Sequence, residues 1–192
     1  MEDKMKRLAL CISCILFLAV PFTGQVFAEG EFTLTSPQIK EGKMIGNEQV
    51  LNGFGCLGDG TSPALHIKNA PEGTKSFVIT AHDPDAPTSS GWWHWVIFNI
   101  PANVTKLEKN AGNLETGLAP EGSVQSRTDF GALGYGGPCP PKDHGVHHYV
   151  FTVHALNVES IPLDQNASGA MVEILASGYS LGSATLTGIY SR

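Results

Sequence analysis

Asp83-Pro84-Asp85-Ala86-Pro87 and Pro138-Cys139-Pro140-Pro141-Lys142 are two proline-stiffened segments. Each is followed shortly by histidine set among aromatics, in Gly91-Trp92-Trp93-His94-Trp95 and in His147-His148-Tyr149. Proline fixes φ and removes an amide donor, so such turns hold neighbouring side chains at fixed positions. Carboxylates and imidazoles held this way can transfer protons, ligate metal or bind an anion through charge-assisted hydrogen bonds. Positions two apart in an extended chain share a face, which would aim Asp83 and Asp85 the same way. Simple capping of its own turn explains one such aspartate better than two. A hairpin after the Asp-Pro turn would return His94 to Asp83, and a carboxylate beside an imidazole raises its affinity for a proton. His147 and His148 are adjacent at the start of a strand and face opposite sides, so one of them joins a pocket, with Tyr149 at its rim. His144 completes a His-x-x-His-His run, but Gly145 and the preceding prolines place it in a loop, and no metal site is expected. Gly134, Gly136 and Gly137 precede Cys139, and the amides of such a loop can cradle an anion.

The elements that must position these residues are mainly β. Phe77–His82, Trp93–Ile100 and His148–Leu156 are rich in β-branched and aromatic residues, and the near-continuous apolarity of the last two predicts burial on both faces. Ala64–Ile67 and Ala184–Tyr190 read as further strands. Ser168 is a cap for a helix over 168–176 that Gly178 would stop. Residues 103–142 carry many glycines and little periodicity, which predicts a long irregular connection with one strand near Val124. A connection of that length inside a compact domain is usually functional.

Composition narrows the partners. Lys4, Lys6 and Arg7 precede an apolar run from Leu8 to Phe22, and Val26-Phe27-Ala28 offers small residues for cleavage, so residues 1–28 read as a signal peptide and 29–192 as one domain. The expected location is the periplasm or the exterior, with no integral membrane segment after processing. Removing 28 residues with three basic and two acidic side chains leaves 164 residues with nine basic against sixteen acidic. Basic residues are scattered singly, which disfavours nucleic acid and anionic surfaces as partners. Cys11 and Cys14 leave with the signal peptide. Cys56 and Cys139 remain, an even pair that an oxidising compartment is expected to bridge.

Asp-Pro-Asp-Ala-Pro at 83–87, Gly-Trp-Trp-His-Trp at 91–95 and Pro-Pro-Lys-x-x-x-x-His-x-Tyr at 140–149 resemble the phosphatidylethanolamine-binding protein family, in its exported bacterial, Raf-kinase-inhibitor-like branch. Phe54-Gly55-Cys56, Thr61–Leu65 and Ser183–Thr187 extend the resemblance along the chain. It implies an antiparallel β-sandwich with long loops and one or two short helices. It also implies a small cavity for phosphate or phospholipid-headgroup-like anions. Carried onto this sequence, the pocket comprises Asp83, His94, His147 and Tyr149, with Asp85, Pro87 and Trp92 forming or supporting its wall. Cys139 stands where many relatives have glycine, and His148 where some have arginine.

Together these readings predict a non-catalytic binding or regulatory protein. Its partners would be a small anionic ligand and a protein that it inhibits or modulates, with no cofactor. Protonated imidazoles would be its main donors to the anion. The rival is a metal-assisted or acid–base hydrolase using the same histidines and aspartates on a phosphoester. No Gly-x-Ser-x-Gly elbow or other activated nucleophile is present to favour it.

Overall fold

The computed structural model describes residues 30–192; the signal peptide predicted over 1–28 lies outside them. The strands are β1 Thr33–Thr35, β2 Lys43–Met44, β3 Asn52–Gly53, β4 Cys56–Leu57, β5 Leu65–Lys68, β6 Ser76–Asp83, β7 Trp92–Pro101, β8 Lys106–Leu107, β9 Val124–Gln125, β10 His147–Leu156 and β11 Ser180–Tyr190, with one α-helix, α1, at Gly169–Tyr179. They form a three-stranded sheet in the order β1-β5-β8, a six-stranded sheet in the order β2-β11-β10-β6-β7-β9, and the small β3-β4 hairpin. All pairings are antiparallel except β2 with β11, which is parallel through Gly188–Lys43 and Ile189–Met44. The expected sandwich is therefore mixed at one edge.

The apolar pattern explains the layers. Leu34, Leu65, Ile67 and Leu107 of the small sheet meet Phe77, Ile79, Ala81, Ile97, Phe151 and Val153 of the large sheet in one buried cluster. On the far face of the large sheet, Val78, Val96, Phe98 and Leu156 pack against Val172 and Ala176 of α1. Strands β6, β7 and β10 are thus covered on both sides, as the continuous apolarity of β7 and β10 predicts. Ser168 caps α1, its Oγ accepting from the Met171 amide at 3.3 Å. The helix runs through Gly178 and ends one residue later, where β11 begins. The long connection contains β8, β9 and a single 3-10 turn at Leu114–Thr116.

Candidate functional site

Three neighbouring strands of the large sheet bring the motifs to one end of the sandwich. Asp83 is the last residue of β6, Trp92 the first of β7 and His147 the first of β10, and the sheet order places these strands side by side. A break in register then re-aims one side chain. Ala81 pairs with Trp95 and His82 with Trp93, so His94 is the extra residue of a β-bulge. Trp93 consequently packs on the helix side of the sheet, and Trp95 enters the core between the sheets. His94 joins Trp92 on the cavity wall.

The cavity has a volume of about 220 Å³ and is lined by Phe54, Asp83, Ala86, Pro87, Thr88, Trp92, His94, Phe130, Cys139, Pro140, Pro141, His147 and Tyr149. Of the sequence-predicted residues, only Asp85 is missing from this wall. Asp85 lies just outside, its amide donating to Asp83 Oδ1 at 2.9 Å. Its Oδ2 accepts from the amide and Nδ1 of His148, at 2.8 and 2.7 Å. The His148 ring bonded to it holds the Asp85 carboxyl below its ordinary pKa. Alternation does not carry past Asp83 because the strand ends there, so the two aspartates diverge and Asp85 clamps the turn from outside.

Asp83 is paired, but with His147 rather than His94. His147 Nδ1–H donates to Asp83 Oδ2 at 2.7 Å, with both side chains buried. His147 Nε2 lies 2.8 Å from Nδ1 of the exposed His144, so both of its ring nitrogens are engaged. His94 Nδ1–H instead donates to the Gly136 carbonyl at 2.7 Å. Burial lowers the His94 pKa to about 4, against the smaller opposing effects of the Gly136 carbonyl and Asp83. The ring is neutral near pH 7 and its remaining Nε2 carries a lone pair. The expected imidazolium donor is therefore corrected: His94 offers an acceptor. Tyr149 is fully buried instead of rimming the pocket, because it shares the inward face of β10 with His147. Its hydroxyl and the Trp92 Nε1–H are buried with no partner among the described residues. Burial also raises the Tyr149 pKa, so it stays a donor.

Cys139 bridges Cys56, with a Cα–Cα distance of 6.0 Å. The bridge joins the β3-β4 hairpin, which carries Phe54, to the proline wall. The Leu51 amide donates to the Pro138 carbonyl at 3.1 Å and reinforces the same seam. Six wall residues were not among those expected, Phe54, Ala86, Thr88, Phe130, Pro140 and Pro141, and Phe130 is the one farthest in sequence from any motif. It is positioned by Asp129, whose amide donates to the Trp93 carbonyl at 3.0 Å and whose Oδ2 accepts from the Trp93 amide at 2.8 Å. The Phe130 ring then packs edge-on to both Trp92 and His94. An Asp-Phe-Gly tip within a long irregular segment was the only available signal.

Among the described residues, no group of three or more histidine, cysteine or acidic side chains is arranged to hold a metal ion. No lysine or arginine lines the cavity. A two-sheet β domain with a small, largely apolar end cavity and a few convergent polar tips has the form of a ligand-binding module. The sequence profile of the family described as phosphatidylethanolamine-binding protein matches residues 35–191, and the chain belongs to that family. It is 47% identical over 181 residues to the UPF0098 protein YbcL of Escherichia coli K12, covering 94% of this chain and 97% of YbcL. The UPF0098 protein YbhB of the same organism is 48% identical over 158 residues, 82% of this chain and 99% of YbhB. The crystal structure of E. coli YbcL, described as a new member of the mammalian PEBP family, superposes with a TM-score of 0.83 over 85% of this chain and 99% of that one, at 49% identity. A phosphatidylethanolamine-binding protein homologue from Chlamydia trachomatis gives a TM-score of 0.70 at 29% identity, over 84% of this chain and 97% of that one.

Proposed function

We propose that this protein is an exported, non-catalytic binding protein whose end cavity takes a small phosphate-type group, free or as a headgroup. The observation that carries the reading is the pair of unpartnered buried donors on its wall, Tyr149 Oη and Trp92 Nε1. A buried donor without a partner costs about 1–3 kcal/mol, so a ligand oxygen at each recovers that loss. His94 Nε2 suits the proton of a phosphoryl hydroxyl, and the proline and phenylalanine walls exclude water around the group. With no fixed cation on the wall, the site fits a protonated monoanion better than a dianion. Affinity then falls as pH rises through the second ionisation of a phosphomonoester, near about 6.

Export rests on the predicted signal peptide and on the Cys56–Cys139 bridge, which suits an oxidising compartment. Among the described residues no helix is long and apolar enough to cross a membrane. The absence of catalysis rests on the wall groups themselves. Cys139 is bridged, and the Thr88 hydroxyl donates to the Gly91 carbonyl, so neither is an activated nucleophile. A role in modulating a protein partner would be secondary to the ligand.

Calorimetric titration with inorganic phosphate and with O-phosphoethanolamine at pH 6 tests the reading. One-to-one binding that weakens in both Trp92→Phe and Tyr149→Phe is expected. No saturable binding at millimolar ligand would refute it.

A further inference from the structure

A second cavity of about 210 Å³ lies beside the first, and Phe54 and Phe130 line both. Their rings stand 5.5 Å apart and form the partition. The far side is walled by Leu51, Ala132, Leu133 and Tyr135. Resting on the phosphate-group reading above, we propose that this second cavity is a subsite for a short apolar or aromatic substituent carried by the ligand's polar head.

Three observations support that chemistry. First, the hydroxyls of this cavity are already committed: Thr128 donates to the Ala132 carbonyl at 2.9 Å and Tyr135 to the Gln49 carbonyl at 3.0 Å. Asn52, exposed, is the one polar lining side chain left without such a bond, and the remaining wall of Leu51, Ala132, Leu133 and the two phenylalanines suits an apolar occupant. Second, the partition can open at low cost. Phe54 is 75% exposed, so turning its ring loses little packing. Its backbone is meanwhile pinned by the bridge at Cys56 and by Arg192, whose Nη2 donates to the Phe54 carbonyl at 3.4 Å. Phe130 is the fixed side: a Cβ at Gly136 would come within 2.6 Å of its ring, so glycine there lets the ring lie against the loop. Third, size sets the class. At about 30 Å³ per water-sized group, the subsite holds roughly seven non-hydrogen atoms, which suits one ring and not a full acyl chain. Two phenylalanines flanking the entrance favour an aromatic occupant.

The processed, oxidised protein is titrated calorimetrically with inorganic phosphate, phenyl phosphate, dodecyl phosphate and phenol. Phenyl phosphate is expected to bind at least about tenfold more tightly than inorganic phosphate, from burial of the ring. Dodecyl phosphate should gain no more than phenyl phosphate. Ala132→Phe fills the subsite from an exposed position and should erase the phenyl gain with inorganic phosphate unchanged. Leu133→Ala should weaken phenyl phosphate alone and covers the case in which Ala132→Phe does not fold. Equal affinity for phosphate and phenyl phosphate, or a gain untouched by both variants, overturns the subsite. A dodecyl gain far beyond phenyl overturns the size argument and with it the proposed class. Phenol binding that is blocked by Ala132→Phe, with no phosphate binding, keeps the subsite and removes the phosphate-group reading. No binding of any probe removes both.

Discussion

His147 and Asp83 meet at 2.7 Å with 1% and 3% of their side chains exposed, and this contact ties the start of β10 to the end of β6 beneath the cavity. Asp83 Oδ1 also accepts the Asp85 amide, so one carboxylate fixes both the imidazole and the proline turn. The outer pair, Asp85 with His148, crosses the same two segments at the surface. Exposed pairs of that kind contribute little, typically about 0–1 kcal/mol, so the inner pair decides the geometry.

Asp83→Ala should therefore cost about 3–5 kcal/mol, because it leaves a buried imidazole donor and a turn amide unpartnered. Asp85→Ala should cost under about 1 kcal/mol by comparison. Urea denaturation of the two variants at pH 7 measures both. A small loss for Asp83→Ala would show that water or rearrangement replaces the carboxylate.

His94 makes stability depend on acidity. Its folded pKa, about 4, lies below the ordinary histidine value of 6.5, chiefly through burial. Between those values the unfolded chain binds a proton that the folded chain refuses. Stability is therefore full above the unfolded value, declines as pH falls towards about 4, and loses no more from this group below that. The whole window is worth about 3 kcal/mol at the conversion of 1.36 kcal/mol per unit. Denaturation midpoints from pH 7 to 4 should flatten in His94→Gln relative to wild type. Parallel curves for the two proteins would assign the acid sensitivity elsewhere.

The Cys56–Cys139 bridge closes a separation of 83 residues. Chain-entropy arguments give such a link about 4.5 kcal/mol of stabilisation through the unfolded state. Cys56→Ala/Cys139→Ala should lose much of that, and phosphate affinity should fall too, because the Phe54 wall is no longer tied to Pro140 and Pro141. Denaturation and calorimetry of the double variant check each half. Lost stability with unchanged affinity would make the bridge a structural staple alone.

The long strands were legible because β-branched and aromatic runs have few other ways to be buried, and β6, β7 and β10 end within a residue or two of the sequence limits. The cluster of motifs was legible as well, since Asp83, Trp92, His94, His147 and Tyr149 share one cavity. What escaped was decided by geometry that side-chain type does not encode. The bulge at His94 adds a residue to β7 that a simple hairpin return does not include, and the ring bonds to the Gly136 carbonyl instead of Asp83. Phe130 depends on backbone bonds between Asp129 and Trp93, within a stretch lacking periodicity. Gly91 sits at φ 69°, and a Cβ there would come within 2.5 Å of the His82 ring. That close approach, invisible as spacing, is what returns β7 tightly onto β6.

Tyr149→Phe separates a binding role from a structural one more sharply than any other change. The Tyr149 hydroxyl has no partner among the described residues, and its ring packs edge-on to His94 at 5.0 Å. Deleting the oxygen keeps the ring and removes an unsatisfied buried group, so the ligand-free protein should be as stable as wild type or up to about 1–3 kcal/mol more so. Affinity for inorganic phosphate should move the other way. A hydrogen bond to a charged group contributes about 1.5–3 kcal/mol, which is a weakening of roughly tenfold or more. Thermal melts with and without phosphate read both quantities from one sample, since ligand stabilisation reports affinity. A variant that melts lower without phosphate, and gains as much from phosphate as wild type does, would make the hydroxyl part of the scaffold and leave the cavity without its central donor.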